Sequence, residues 1–227
     1  FKDYDEVVSA PTDAKEAQSV TNLKKTDGNF AISCWIFIDD WNYKYGQEKI
    51  ILEKTVTNGS SLPKISLDPY KNDLKIRLNA AAEDGPEYQT AVTAALSGAG
   101  ESYDAALTYD CSGEFLRATD SVGGGTPIIY DGVGGNPAIP CVLGNAKEIK
   151  VENINMQKWV NILTTVNNRT LDVYINGKLV QTQEFNNVID VNQLNYGGIN
   201  VTPNGGFGGF VSKVQYYPYF VTPRKAW

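Results

Sequence analysis

Two polar pairs, Asn167–Asn168 and Asn176–Gly177, interrupt a regular alternation of apolar and polar residues between 158 and 185. Asn-Gly between two alternating segments is a strong hairpin signal, because both residue types tolerate the positive φ of a type I′ turn. The stretch therefore predicts a three-stranded antiparallel meander, and any fold assigned to this chain has to contain it.

Further strands are predicted on both sides of this meander. Residues 30–38, FAISCWIFI, are apolar on both faces, which is typical of a strand at the centre of two packed sheets. KIILEKT at 49–55 predicts another strand, and apolar runs on either side of the turn residues 68–73 predict a hairpin. A closing strand is predicted over 210–217, after glycines that suit a close backbone approach or a bulge.

The pattern as a whole contains no evident amphipathic helix of three turns. Many short strands with polar turns indicate an all-β fold, a jelly-roll sandwich of two antiparallel sheets. The pattern of strands and turns is interrupted in residues 84–147, where repeated glycines separate short apolar fragments. Since nothing there supports a second core, we expect one domain over 1–227 with 84–147 as a Gly-rich, loop-rich insertion. Because the sequence starts at Phe1 without an initiator Met, we expect a processed product or an excerpt.

Charge and composition argue against several classes of function. The formal net charge is -6 and the basic residues are scattered, which argues against binding to nucleic acid. No apolar run approaches the roughly 18 residues of a membrane helix, so no membrane insertion is expected from this segment. Histidine is absent, which removes Ser-His and Cys-His nucleophile systems and imidazole-based zinc sites.

The cysteines and the sequons are compatible with two covalent features, a disulfide and glycosylation. Cys34 lies in an apolar strand, where a buried thiol is expected. Cys111 and Cys141 flank the Gly-rich stretch, and the sequence fits either free thiols or a disulfide. Such a bridge would close a loop of about 30 residues and contribute roughly 3 to 4 kcal/mol. Sequons occur at Asn58, Asn168 and Asn200. They are compatible with glycosylation, although such triplets also arise by chance.

Several motifs together resemble a known family. KWVNILTTVNNRTLDVYINGKLVQT is similar to laminin-G-like and pentraxin-like domains, in which a Trp opens a strand before a YxNGK hairpin. GGFGGFVSKVQYYPYFVTP resembles their closing strand. The resemblance implies the concanavalin A-like lectin and glucanase fold for the chain outside 84–147. CWIFIDDWNYKYG and VENINMQKWVNI resemble the versions carried by virion proteins of large eukaryotic DNA viruses.

The acidic residues do not form the pattern of a hydrolase. Retaining glucanases of that superfamily carry Glu-x-Asp-x-(x)-Glu on one strand, which sets two carboxyl groups about 5 Å apart. This chain lacks the motif. Its nearest pairs are Glu48 with Glu53, whose odd spacing predicts opposite faces of a strand, and Glu83 with Asp84 in a turn. We therefore expect no catalytic residues and no enzyme activity, with a glycoside hydrolase as the least favoured alternative.

Acidic residues in predicted loops raise the question of calcium, which takes six to eight oxygen ligands and is often bound by laminin-G-like domains at a sheet edge. The candidates are Asp39, Asp40, Asp68, Asp73 and Asp131. No Asp-x-Asp-x-Asp-Gly loop is present, so solvated turn acids are the favoured interpretation. We predict no metal site and no cofactor, with Ca²⁺ as the alternative.

The segment DDWNYKYG, residues 39–46, is the strongest candidate for a binding surface. In an extended segment the alternating rings of Trp41, Tyr43 and Tyr45 share one side and, with Asp40, form a platform for a sugar or a partner protein. The alternative is that Trp41 plugs the end of the sandwich and the tyrosines cover it.

A well-defined β-sandwich pattern without candidate acid-base residues favours a non-catalytic structural or attachment module. The resemblance implies a minor capsid or other virion component, or a protein at an extracellular surface, whose partners are other virion or surface proteins. The alternative function is an extracellular, lectin-like domain that binds carbohydrate through Trp41, Tyr43 and Tyr45.

Overall fold

The computed structural model describes residues 3–55, 61–79, 86–102, 104, 107–112, 115–120, 128–130, 132, 135–139, 146–184 and 191–226. The chain divides into two compact units, one formed by Phe1–Ala80 with Lys147–Trp227 and the other by Ala81–Ala146. Among the described helices, none is both long enough and apolar enough to span a membrane. The predicted residues Asn58, Glu83, Asp84, Asp131 and Cys141 lie outside the described part of the chain.

The larger unit contains two sheets whose strands, like those of the smaller unit, are numbered along the chain. In the first half of the sequence they are β1 (Asp5–Val8), β2 (Thr12–Asp13), β3 (Gln18–Val20), β4 (Phe30–Asp40), β5 (Lys49–Thr55), β6 (Ser61–Leu67) and β7 (Leu74–Asn79). In the second half they are β11 (Ala146–Val151), β12 (Trp159–Asn167), β13 (Thr170–Ile175), β14 (Lys178–Glu184), β15 (Ile199–Val201) and β16 (Gly208–Tyr217). Short helices are α2 (Val191–Tyr196), α3 (Pro223–Ala226) and a 3-10 turn (Pro203–Gly205).

The strands pair into a seven-stranded and a six-stranded sheet. The first has the order β1, β16, β4, β12, β13, β14, with β2 also paired to β16. The second has the order β11, β7, β6, β5, β15, β3. Chain neighbours at 61–79 and at 159–184 form antiparallel hairpins, while β16 returns to lie beside β4 near the start of the chain.

The core lies between these two sheets. Alternate residues of β4, from Phe30 to Ile38, face inward and are completely or almost completely buried. They join residues such as Leu52 and Ile65 of the second sheet in one cluster. Burying an aliphatic side chain of this size contributes about 1.5 to 3 kcal/mol, so the shared cluster holds the sheets together. The predicted all-β sandwich of two antiparallel sheets is therefore confirmed.

The structure agrees with the sequence at two turns and in the burial of Cys34. Asn176 and Gly177 have φ of 50° and 79°, as the predicted type I′ turn requires, and Asn168 has φ of 57°. Cys34 is fully buried as expected, and burial raises the pKa of its thiol to about 12, so it stays neutral.

The predicted placement of Glu48 and Glu53 on opposite faces is wrong. The register of β5 against β6 shifts between Ile50 and Leu52, and this irregularity changes which positions share a face. Glu53 lies opposite Lys64, and the carboxylate of Glu48 accepts a hydrogen bond from the same lysine at 2.6 Å. Both glutamates therefore lie on the outer face of the six-stranded sheet.

The smaller unit contains one helix, α1 (Pro86–Gly98), and a three-stranded sheet of β8 (Leu107–Ser112), β9 (Phe115–Asp120) and β10 (Ile128–Ile129). Helix α1 corrects the expectation that no helix of three turns occurs. Its alanine-rich sequence favours a helix, but its apolar stripe is narrow, with Val92 and Leu96 as its buried members. These two side chains belong to a buried cluster with Leu116, Ala118, Tyr130 and Ile139. The single-domain interpretation stays a prediction.

A buried lysine contacts the end of α2. Lys54 has no exposed surface, and its ammonium donates to the carbonyl oxygens of Leu194 and Gly197. Cations are favourable beside the unpaired carbonyl groups at a helix end. Burial nevertheless lowers the pKa of Lys54 from 10.5 to about 8, because the charged form is poorly solvated there.

The glycines of β16 permit the predicted close approach to β4. A Cβ atom on Gly209 would lie 1.9 Å from the carbonyl oxygen of Phe37, at a register shift between Gly208 and Gly209. We expect Gly209→Ala to lower the free energy of unfolding by about 2 to 4 kcal/mol in denaturant titrations. Gly98→Ala in α1, where a Cβ meets nothing within 4 Å, is the control and should not lower that value, since alanine is the better helix former. An unaffected Gly209→Ala protein would contradict the close approach.

The depressed pKa of Lys54 also makes a prediction about stability at alkaline pH. Between pH 8 and 10.5 the folded protein loses this proton while the unfolded chain keeps it, so stability rises with pH through this window. Below pH 8 the penalty of burying the charge is fully present. Denaturant titrations of the natural protein and of Lys54→Met should therefore diverge by about 3 kcal/mol across the window, in favour of the natural protein. Parallel pH profiles would show that Lys54 keeps an ordinary pKa.

Candidate functional site

The segment after β4 turns back on itself, so the expected extended platform is wrong. Residues 41–46 form consecutive turns. Asp40 starts the reversal, since its Oδ1 accepts a hydrogen bond from the backbone N–H of Asn42 at 2.9 Å. Lys44 has φ of 54°, a left-handed conformation that an extended strand does not contain. Alternation of the rings therefore does not place them on one side.

The three aromatic residues contact different parts of the larger unit. Trp41 is half-buried and packs against the main core, with the ammonium of Lys49 at 4.5 Å from its ring centre. Tyr43 is also half-buried and faces Lys15, whose ammonium lies 4.9 Å from the ring centre. Tyr45 is 59% exposed. Thus Trp41 packs against the core, and each tyrosine has a separate environment.

Trp41 instead lines a cavity that sequence analysis missed. The cavity has a volume of about 440 Å³. It is lined by Trp41, Tyr70, Lys71, Asn72, Asp73, Asn153 and Met156. Tyr45 extends the aromatic surface, because its ring stands edge-on to that of Tyr70 with the centres 5.6 Å apart. The result is a concave site, open to solvent, with two aromatic rings beside amide and charged groups.

Hydrogen bonds fix the two segments that form the cavity. Asn72, in the turn between β6 and β7, accepts a bond from the N–H of Ile154 at 2.7 Å and donates its side-chain amide to the Ile154 carbonyl at 3.1 Å. The N–H of Asn153 donates to Asp73 Oδ1 at 3.0 Å. Gln157 N–H donates to the Ile38 carbonyl at 2.8 Å, which ties the second segment to the end of β4. The lining is therefore held in place by the fold itself.

The two carboxylates of this region are ionised and already paired. Burial opposes ionisation of Asp73, but the Asn153 N–H and Lys150, at 3.0 Å, outweigh it and lower the pKa of Asp73. Burial likewise opposes ionisation of Asp68, yet the N–H of Tyr70, the ammonium of Lys75 and the N–H of Lys71 lower its pKa to about 2. Neither group holds a proton near neutral pH, so neither is suited to act as a general acid.

Glu48 and Glu53 show no better arrangement for acid-base chemistry. Burial opposes ionisation of Glu48, but hydrogen bonds from Lys64 and Ser66 and the charge of Arg77 keep its pKa below the ordinary value. Glu53 accepts a hydrogen bond from the side-chain amide of Asn200. These glutamates belong to a polar network on the outer face of their sheet.

A second aromatic surface lies on the outer face of the seven-stranded sheet. Phe37 of β4 is directly opposite Phe210 on one side and Trp159 on the other, with ring centres 6.5 and 5.6 Å apart. Trp159 is 39% and Phe210 42% exposed. Further along this face, Leu163 and Val221 belong to a buried cluster. We call Phe37, Trp159 and Phe210 the aromatic row.

The structure also shows where two of the sequons and Cys111 lie. Asn168 is exposed in the turn after β12, whereas Asn200 is half-buried in β15, where its Oδ1 accepts from Ser19 at 2.9 Å. Cys111 lies in β8, opposite Leu116. Within the described ranges, no three acidic or cysteine side chains come together in a way that could hold a metal ion. Glycosylation, the disulfide and the calcium alternative stay predictions.

Comparisons with known proteins show a likeness of fold. Neither a protein-family model nor a curated protein matches the chain. Among solved structures, a point mutant of HCR/D has a TM-score of 0.52 at 12% identity and covers 96% of this chain and 40% of its own. The binding domain of botulinum neurotoxin serotype D has a TM-score of 0.51 at 12% identity, with coverages of 96% and 40%.

These structures are longer than this chain, which spans less than half of their length. At such low identity the likeness establishes the fold alone, the all-β sandwich of lectin-like domains. The narrower resemblance to laminin-G-like, pentraxin-like and virion proteins stays a prediction.

Proposed function

We propose that the protein is a non-catalytic binding module that holds a glycan in the cavity lined by Trp41 and Tyr70. The observation that carries this proposal is the position of Trp41, half-buried against the core yet open to a rigid polar cavity. A sugar ring has an apolar C–H face, which packs on an aromatic ring, and a rim of hydroxyl groups, which pair with amides and charged groups. The cavity offers both kinds of contact.

The geometry of Trp41 favours a ligand that stacks on one side only. Lys49 covers one face of the ring, and this lysine is itself almost completely buried and donates to the Pro69 carbonyl at 3.3 Å. The ring is thereby held in one orientation before any ligand arrives. Preorganised binding groups lose little conformational entropy on association, so a small site of this kind can still be selective.

Two observations support the proposal that the binding module is non-catalytic. The sequence has no histidine. The carboxyl groups next to the cavity, Asp68 and Asp73, are ionised and occupied by N–H groups and lysines. A binding role is consistent with the lectin-like sandwich of structures such as the binding domain of botulinum neurotoxin serotype D.

The proposal predicts selective glycan binding that depends on Trp41. A glycan array should identify ligands of the purified protein, and calorimetry should show that Trp41→Ala weakens them by at least about tenfold, since the stacking surface is lost. Trp159→Ala is the matched control, because it removes the same side chain from the aromatic row. Circular dichroism checks that both variants fold. Equal losses in the two variants, or binding that survives Trp41→Ala, would count against the cavity.

The second candidate is a protein-contact module on a virus particle, as the sequence resemblance suggests. The specific observation in its favour is the aromatic row, since exposed tryptophan and phenylalanine side chains are typical of the centres of protein interfaces. Other virion or surface proteins would be the partners, and the location would be the particle or an extracellular surface.

This candidate predicts that the chain is found in purified particles from its source, at a constant ratio to the major shell protein. The double variant Trp159→Ala with Phe210→Ala, expressed in place of the natural chain, should lower that ratio at least about tenfold because the anchoring rings are lost. Quantitative mass spectrometry measures the ratio, and Trp41→Ala should leave it unchanged. Recovery of the chain only from particle-free fluid would rule out this candidate.

A further inference from the structure

The two sequons in the described part of the chain differ in how the fold uses the asparagine side chain. They begin at Asn168 and at Asn200. An N-linked glycan is bulky and hydrophilic, so its attachment point has to lie on the surface of the folded protein. A glycan added to an extended chain therefore persists in the native state only where the structure leaves room for it.

Asn200 lies inside a sheet, and its side chain is already in use. Strand β15 has a neighbour on each side, with Ser19 of β3 and Glu53 of β5 directly opposite Asn200. The Oδ1 of Asn200 accepts a hydrogen bond from Ser19 at 2.9 Å, and its Nδ2 donates to Glu53 at 3.4 Å. The third residue of this sequon, Thr202, has no exposed surface and donates to the Glu16 carbonyl at 2.8 Å. A sugar on Nδ2 would displace the side chains of Ser19 and Glu53, and would therefore oppose the pairing of β15.

Asn168 lies in the two-residue turn that joins β12 to β13. It is exposed and has φ of 57°, a left-handed conformation that asparagine tolerates. Its backbone N–H donates to Asn29 Oδ1 at 2.7 Å, which ties the turn to the segment before β4. Its side-chain amide makes no hydrogen bond to any residue that the structure describes. The turn therefore holds this asparagine in place while its Nδ2 stays accessible.

We propose that Asn168 carries an N-linked glycan in the folded protein and that Asn200 does not. The oligosaccharide comes from a lipid diphosphate donor through an oligosaccharyl transferase. The bond from Asn168 Nδ2 to C1 of the first sugar forms as the C1–O bond to the diphosphate breaks. The lipid diphosphate leaves with that electron pair, and Nδ2 gives up one proton to a base of the transferase. This inference goes beyond the proposed function, because the sugar is attached covalently and the cavity takes no part.

The glycan would lie far from the cavity. The turn at Asn168 is bonded to Asn29, one residue before β4 begins, whereas Trp41 follows the last residue of that strand. β4 has 11 residues, and at about 3.3 Å per residue its two ends are roughly 30 to 35 Å apart. A glycan at Asn168 is therefore compatible with an open cavity.

The test uses the whole chain secreted from cultured eukaryotic cells, with Asn58→Gln in every version because that sequon lies outside the described residues. Enzymatic release of N-glycans in heavy-oxygen water converts a glycosylated asparagine into labelled aspartate, which peptide mass spectrometry locates. We expect the label at position 168 in most secreted chains and none at position 200. Thr170→Ala, which removes the hydroxyl group of the sequon, should abolish the label at position 168, and Thr170→Ser should restore it.

Asn200→Gln is the matched control, because it removes the other sequon and should leave the glycan at Asn168 unchanged. Circular dichroism checks that the secreted variants fold. Secreted, folded chains with an unmodified Asn168, or with a glycan at Asn200, would overturn the inference. That result would leave the proposed function standing, because a glycan array probed with protein made without glycosylation tests the cavity alone.

Discussion

Strand β4 is the constraint on which the rest of the larger unit depends. It pairs along its length with β12 on one side and with β16 on the other, while one of its faces fills the core. A shift of β4 by one residue is unfavourable, because it would take Ile32, Cys34 and Ile36 out of the core and bring Ser33, Trp35 and Phe37 into it. The close approach at Gly209 fixes the same register from the neighbouring strand. The segment after Asp40 therefore starts from a defined place.

The cavity is a consequence of that fixed strand end. Trp41 packs back onto the core immediately after β4, and the N–H of Gln157 donates to Ile38 close by. The turn at Asn72 is then bonded to the segment at Ile154. Three stretches that are far apart in sequence thus form one wall. Two of its hydrogen bonds join backbone groups, from Ile154 N–H to the Asn72 carbonyl and from Gln157 N–H to the Ile38 carbonyl. The side chains of Asn72 and Asp73 make two more, so these two lining residues also hold the wall together.

Much of the fold could be predicted from the sequence because its signals are local. The Asn176–Gly177 turn, the hairpin around residues 68–73 and the buried pattern of β4 each follow from neighbouring residues. Predictions failed where the local period was interrupted. The register shift in β5 placed Glu48 and Glu53 on one face, and helix α1 has too narrow an apolar stripe to be evident from periodicity.

The candidate site could be predicted only in part. The sequence identified Trp41 as a candidate binding residue from the aromatic residues next to it. The alternation of these residues predicted the wrong orientation for its ring, because Asp40 starts a turn by accepting a hydrogen bond from the N–H of Asn42. Lys71 and Asn153 were missed because they approach Trp41 only through tertiary hydrogen bonds, and nothing in the order of residues brings them together. Positive φ values at Asn153 and Gln157 show a backbone shaped by those bonds.

The two aromatic surfaces of the larger unit come from one strand and its continuation. Phe37 points to the outer face of the seven-stranded sheet, and Trp41, four positions later, packs against the core behind that sheet. The turn at Asp40 therefore separates two surfaces whose residues are close neighbours in the sequence. Because Trp41 and the aromatic row contact different residues, a substitution in one leaves the other's contacts in place. The proposed glycan site and the proposed protein contact therefore use different rings.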